Sequence, residues 1–182
     1  MRSLATTLTV VFVVGLLWGI TLTVVIMPSA PPTYVTVTTP VRTVCFSPNG
    51  GCAEQVVYWI GRANFTIHIL IYSFTLDSIG DALIVAYERG VTIQIVFESS
   101  QLSNYSQYNR LKDKGIQVRK DTNPAAMHDK IMVVDGNVVV AGSFNWSLNA
   151  ESENNENLIV VVSPAIGRIY DEFQKIWDES TS

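Results

Sequence analysis

Charge is what the opening of this sequence lacks: no Asp, Glu, Lys or Arg stands between Arg2 and Arg42. A basic excess is missing too. Twelve Lys and Arg face 16 Asp and Glu, a formal net charge of −4, and residues 28–182 alone carry −5. That balance argues against tight nonspecific binding to nucleic acid, whose affinity comes largely from phosphate neutralisation by basic side chains. Cysteine and histidine are scarce, two of each in 182 residues. Cys45 and Cys52 cannot make a four-ligand zinc site alone, and His68 lies in a strand pattern away from them, so a structural metal is disfavoured. There is no internal repeat, so any motif present occurs once.

What the charge-free stretch does hold is hydrophobic. Residues 8–27 are twenty mostly apolar positions, matching the ~20 needed to cross a ~30 Å hydrocarbon core. A cleaved signal peptide is the rival reading, but its apolar region runs ~7–15 residues and no clean small-residue cleavage site follows Met27. Residues 1–27 are therefore expected to be a single-pass anchor. Arg2, the lone charge before the span, places the N-terminus in the cytoplasm and the domain on the extracytoplasmic side. Residues 28–40, PSAPPTYVTVTTP, read as an extended Pro/Thr-rich linker. A domain over 41–182 follows.

Its strand and helix patterns alternate. Strands are expected over 41–47, 66–74, 91–97 and 116–118, helices over 52–64, 76–89 and 102–114, then a hairpin, a strand over 157–162 and a closing helix over 165–177. Several strands are too apolar to be solvated on one side, which implies an α/β fold with a mixed sheet covered by helices on both faces. Cys45 and Cys52 bracket a turn-rich hexapeptide able to bring the sulfurs together. A disulfide fits an oxidising compartment, with two separate buried thiols as the other reading.

The chemistry concentrates in residues 127–147, MHDKIMVVDGNVVVAGSFNWS. Two β-rich runs, 127–134 and 138–143, flank Asp135-Gly136-Asn137, a junction that favours a tight two-residue hairpin. A Gly136-Asn137 loop sets Lys130 across from Ser143 and His128 across from Asn145; an Asp135-Gly136 loop sets His128 across from Ser143. Either way the four side chains share one face. That face offers a nucleophile or base and three groups able to donate hydrogen bonds to an anion, which suits a phosphate. Asp135 has the opposite parity and is expected to bond its own backbone in the turn.

The spacing His128-x-Lys130-x4-Asp135-x6-Gly142-Ser143 resembles the signature of the phospholipase D superfamily, and the GSFNWS ending is similar to its small single-motif nucleases. The resemblance runs from about Val41 to Trp177 and implies a phospholipase D-like sandwich. It also implies that His128 attacks phosphorus to form a phosphohistidine, with Lys130, Ser143 and Asn145 holding the phosphoryl oxygens and no cofactor. Glu156 matches a carboxylate that orients the histidine. A second imidazole must protonate the leaving oxygen, which for a single motif implies a homodimer with one composite site.

Arg119 and Lys120, in a basic stretch leading into the hairpin, read either as a rim guiding substrate or as a solvated face. His68 reads as a structural strand histidine, and Trp146 as core packing or as a platform for a nucleobase. The sequence thus points to a membrane-anchored, metal-independent phosphodiesterase, foremost an endonuclease on DNA or RNA. A phospholipid headgroup hydrolase or transferase is the alternative, and a non-catalytic nucleic-acid or surface-binding module a third class.

Overall fold

The computed structural model describes residues 41–163 and 166–182. The expected anchor and linker, residues 1–27 and 28–40, lie outside them. Among the described residues no helix is long and apolar enough to cross a membrane.

Seven strands form one mixed sheet: β1 (Val41–Ser47), β2 (Thr66–Ile71), β3 (Thr92–Phe97), β4 (Gln117–Lys120), β5 (Lys130–Val134), β6 (Val138–Gly142) and β7 (Glu156–Val162), in the order β1-β7-β6-β5-β2-β3-β4. β2, β3 and β4 run parallel, and all other pairings are antiparallel. Helices α1 (Cys52–Gly61), α2 (Asp77–Glu88), α3 (Tyr108–Asp113) and α4 (Leu148–Ser152) bury their apolar sides against one face, where Ile67, Ile69, Ile95, Phe97, Met132 and Val140 form the main core. The other face carries α5 (Gly167–Glu179), whose Phe173 and Trp177 cover Leu70, Val96 and Met127. Both faces being covered explains why β2 and β3 read as continuous apolar runs rather than alternating ones. A disulfide joins Cys45 on edge strand β1 to Cys52 at the start of α1.

The helix expected over 102–114 is shorter than its pattern. The side chain of Glu98 accepts the N–H of Ser100 at 2.9 Å and closes a 3₁₀ turn, Ser99–Gln101, so helix begins only at Tyr108.

The hairpin register also differs from expectation. Val134 faces Val138 and Met132 faces Val140, so three residues intervene and neither two-residue register is adopted. Asp135 and Gly136 take left-handed φ of 50° and 65°, and Asn137 N–H donates to Val134 O at 3.1 Å. Asn137 is the extra residue, and its carbonyl accepts Ser163 N–H at 2.7 Å, just past β7. β6 ends at Gly142, so Ser143 and Asn145 do not face Lys130 and His128 across the ladder.

Asp135 is structural, but it does not bond its own backbone. Its carboxylate accepts the N–H groups of Asn64, Phe65 and Thr66 at 2.9, 2.8 and 2.9 Å, fastening the turn to the start of β2. Burial would raise its pKa, but these hydrogen bonds outweigh it and the pKa is lowered. A depressed folded-state pKa adds stability above the unfolded value of ~3.9 that disappears as pH falls through the folded one. Asp135→Asn is therefore expected to cost about 1–3 kcal/mol in urea unfolding at pH 7, from N–H groups left unpaired. The gap to wild type should narrow below about pH 4; a gap that stays constant down to pH 2 would contradict this assignment.

Candidate active site

The site lies at the end of the sheet where parallel strands β2 and β3 finish and β5 and β7 begin. Open α/β sheets leave a crevice at such strand ends, where the direction of the connections changes. His128 sits just ahead of β5 and is exposed, whereas Lys130 opens that strand with only 6% of its surface exposed. Lys130 Nζ donates to the carbonyl of His128 at 2.9 Å and lies 3.2 Å from its Nδ1. The ammonium also sits 4.6 Å above the Tyr72 ring, which tilts against the His128 ring at 4.3 Å between centroids. Burial pushes the Lys130 pKa down, while the carboxylates of Glu156 and Asp129 pull it back up.

The main chain around His128 is held from two strands. Tyr72 N–H, just past β2, donates to Asp129 O at 2.8 Å, and Met127 N–H donates to Glu98, just past β3, at 2.7 Å. Gln101 Nε2 donates to the Tyr72 hydroxyl at 3.1 Å. The sequence reading missed Tyr72 and Glu98. Only their position, the first residue after a central strand, marks them out.

Ser143 and Asn145 reach the site by a different route from the one a shared strand face suggests. The N–H groups of Ser143 and Phe144 both donate to Asn157 O, at 3.0 and 3.2 Å, which turns the chain out of the ladder. Three residues on, Trp146 N–H donates to Ser73 O at 3.0 Å and its carbonyl accepts Thr75 N–H at 2.8 Å. Residues 143–147 thus cross the end of the sheet from β7 to the exit of β2. Trp146 is buried edge-on against Phe74, which settles it as core packing. The amide oxygen of Asn145 is buried without a hydrogen-bond partner among the described residues. Ser143 Oγ donates to Glu156 and accepts Asn157 N–H at 3.1 Å, while Asn154 Nδ2 donates to the other oxygen of Glu156 at 3.3 Å. Glu156 is thus engaged with Ser143 and Asn154 and acts electrostatically on Lys130; no hydrogen bond joins it to the His128 ring.

The basic stretch is occupied elsewhere. Arg119 lies 4.2 Å over the Trp177 ring and donates to the Trp177 carbonyl. Lys120 lies over Tyr108 at 5.2 Å, and its backbone bridges to Thr181. Arg110 pairs with Asp77 and Asp81. These side chains thus make contacts within the fold, against Trp177, Tyr108, Asp77 and Asp81. On the α5 face, His68 is buried against Tyr170 and Phe173, and burial lowers its pKa. It lines a largely apolar cavity of about 230 Å³, with Leu70, Ile131, Val133 and Asp129. Among the described residues, no three His, Cys, Asp or Glu side chains converge as metal ligands would.

Comparison with known proteins agrees with this geometry. The family described as "Cardiolipin synthase, PLD-like domain" matches residues 56–177. Mitochondrial cardiolipin hydrolase from Chlamydomonas reinhardtii is 34% identical over 122 residues, 66% of this chain and 55% of that protein. Phospholipase D from Rickettsia prowazekii is 33% identical over 127 residues, 69% of this chain and 62% of that protein. The chain thus spans little more than half the length of these curated relatives. Among solved structures, Nuc from Salmonella typhimurium, a phospholipase D family member, superposes with a TM-score of 0.73 at 33% identity, over 76% of this chain and 94% of that one. NucT from Helicobacter pylori, at 23% identity and a TM-score of 0.72, shares the fold. The chain belongs to the phospholipase D-like family.

The turn at Ser143 depends on close approach at Gly142. A Cβ added there would lie 2.2 Å from Asn157 O, the carbonyl that turns the chain. Gly142→Ala is expected to cost about 1–3 kcal/mol in urea unfolding, since backbone must shift to admit it. An unchanged midpoint would mean that β6 and β7 can separate there freely.

Proposed function

We propose that this phospholipase D-like chain is a metal-independent phosphodiesterase that works through a phosphohistidine, and that its substrate is DNA or RNA, cut endonucleolytically. The observation that carries the reading is the pairing of His128 with Lys130. An exposed imidazole has its Nδ1 3.2 Å from a buried ammonium, which can only donate to it. When a phosphodiester arrives, the ammonium can turn from the His128 ring and carbonyl to a phosphoryl oxygen, joined by the Asn145 amide and, once released from Glu156, the Ser143 hydroxyl; Nδ1 is then free to carry the ring proton and Nε2 the lone pair. These groups place donors where negative charge grows in the transition state.

His128 Nε2 then forms a bond to phosphorus as the bond to the leaving oxygen breaks, and a second imidazole gives that oxygen its proton. The same imidazole takes a proton from water, whose oxygen attacks phosphorus and breaks the P–N bond. One chain cannot supply that second imidazole, because His68 is buried on the other face of the sheet. The acid is assigned to His128 of a second copy, in a homodimer sharing one composite site. An apolar strip supports such a contact: Val44 and Phe46 on β1, beside Ile159 on β7, are exposed on the face that α5 leaves uncovered.

The nuclease reading rests on the similarity of GSFNWS to the small single-motif nucleases. Headgroup hydrolysis of a phospholipid is the second reading, favoured by the 34% identity to a cardiolipin hydrolase. Residues 1–27 are proposed to anchor the domain to a membrane, with the site on the extracytoplasmic side.

DNA, RNA and phospholipid vesicles assayed in parallel with excess EDTA test the reading. Cleavage of a nucleic acid is expected to persist, and His128→Ala to reduce it at least about 1,000-fold, a barrier change of ~4 kcal/mol. Activity lost in EDTA and restored by Mg²⁺ would reject the metal-independent route, and turnover of vesicles alone would move the substrate to lipid. Heterodimers of wild-type and His128→Ala chains, isolated with two tags, test the composite site. They are expected to keep less than about a tenth of wild-type turnover; half or more, or an active monomer in sedimentation, would reject the shared site.

A further inference from the structure

Glu98 is a carboxylate with 2% of its surface exposed, set one residue beyond β3. Burying a charge in this way is costly unless partners replace its water. No Lys or Arg pairs with it among the described residues. Each oxygen instead holds one backbone N–H: Oε1 that of Ser100 at 2.9 Å, Oε2 that of Met127 at 2.7 Å. The first bond is a local cap of the kind a short Asp, Asn or Ser side chain also makes. The second is different. It reaches 29 residues along the chain to the N–H of Met127, the residue before His128.

We infer that Glu98 is the positioning residue of the attacking imidazole, fixing the backbone from which His128 departs. The inference rests on the reading of His128 as the attacking group. Burial alone would raise the pKa of Glu98, but its hydrogen bonds to Ser100 and Met127, together with the charge of His128, lower it, so the group is ionised at neutral pH. The ammonium of Lys130 lies 3.2 Å from Nδ1 of the His128 ring. Also facing the ring are Asp129 and the Tyr72 hydroxyaryl ring; Glu156 acts on Lys130, and Asp121 and Glu172 act on Asp129. Glu98 is the one carboxylate of this set that also anchors the main chain ahead of the nucleophile.

The test compares wild type, Glu98→Gln and Glu98→Asp in two measurements. The first is the NMR chemical shift of the His128 ring at pH 7, which needs no substrate; with two histidines in the chain, the signal lost in His128→Ala assigns it. The second is kcat and KM on the phosphodiester. Glu98→Gln removes the charge and gives one N–H a carboxamide NH2 to face. It is expected to move the His128 ring signal, because the backbone that carries the ring is no longer held as in wild type. It should also reduce kcat at least about tenfold with KM changed less than about twofold, as expected when transition-state stabilisation alone is lost. Glu98→Asp keeps the charge on an arm too short to span Ser100 and Met127 together, so kcat should fall there too.

A folded Glu98→Gln chain with an unmoved His128 ring signal and kcat within about twofold of wild type would overturn the inference and leave Glu98 a turn cap. If that variant does not fold, Glu98→Asp decides, and wild-type kcat there overturns it. A chain inactive on every phosphodiester but with a moved His128 ring signal in Glu98→Gln would reject the proposed function and leave the backbone link standing.

Discussion

An ammonium stripped of most of its water sets the terms for the site. Lys130 begins β5 with its side chain folded under the His128 carbonyl and against the Tyr72 ring, and the carboxylates of Glu156 and Asp129 act on its charge through space. A desolvated cation of this kind is stable only while every partner stays in place. The partners come from β2, β5 and β7, so three strands must keep register for one charge to be tolerated. In return the cation is only partly satisfied, and on the proposed function a phosphate would meet a donor whose water has already been removed.

The architecture supplies those partners by making two halves of one sheet meet. β2, β3 and β4 form a parallel half and β5, β6, β7 and β1 an antiparallel half, joined where β2 pairs with β5. Ile71 faces Lys130 across that seam, so the first residues after β2 and the residues before β5 emerge side by side. The segment carrying Ser143 and Asn145 crosses the same end, held at Asn157 on one side and Ser73 on the other. The chemistry is therefore built on strand termini and one strapped crossing, all fixed by main-chain hydrogen bonds.

Much of this was legible in the sequence because its signals are local. Apolar runs marked β2, β3 and β6, Gly90 ended α2, and the cluster from His128 to Asn145 lies within one short stretch. The failures share a cause. The hairpin loop gained a third residue because Asn137 O is claimed by Ser163 beyond β7, a partner that local turn chemistry does not see. Ser143 and Asn145 were expected on a common strand face, yet the ladder stops at Gly142 and a carbonyl of β7 redirects the chain. The helix expected from residue 102 starts only at Tyr108, after a 3₁₀ turn capped by Glu98 and an irregular stretch. Tyr72 and Glu98 belong to the site only because the topology brings two strand ends to His128, and the contacts of Arg119 with Trp177 and of Lys120 with Tyr108 are likewise set by the fold rather than by neighbouring sequence.

The pairing of β1 with β7 carries a consequence for folding order. It brings Ser47 opposite Glu156, and Ser47 Oγ donates to Asn154 O across 107 residues at 3.1 Å. Closing so large a loop costs more chain entropy than joining β5 to β6 or β2 to β3, and contacts of that separation slow folding. The start of β7, with the carboxylate that receives Ser143, is tied to β6 across a short connection and to β1 across this long one. The central strands have shorter loops to close and can associate before β1 adds its share of that support. On the proposed function, the last contacts to close therefore lie beside the groups assigned to the anion.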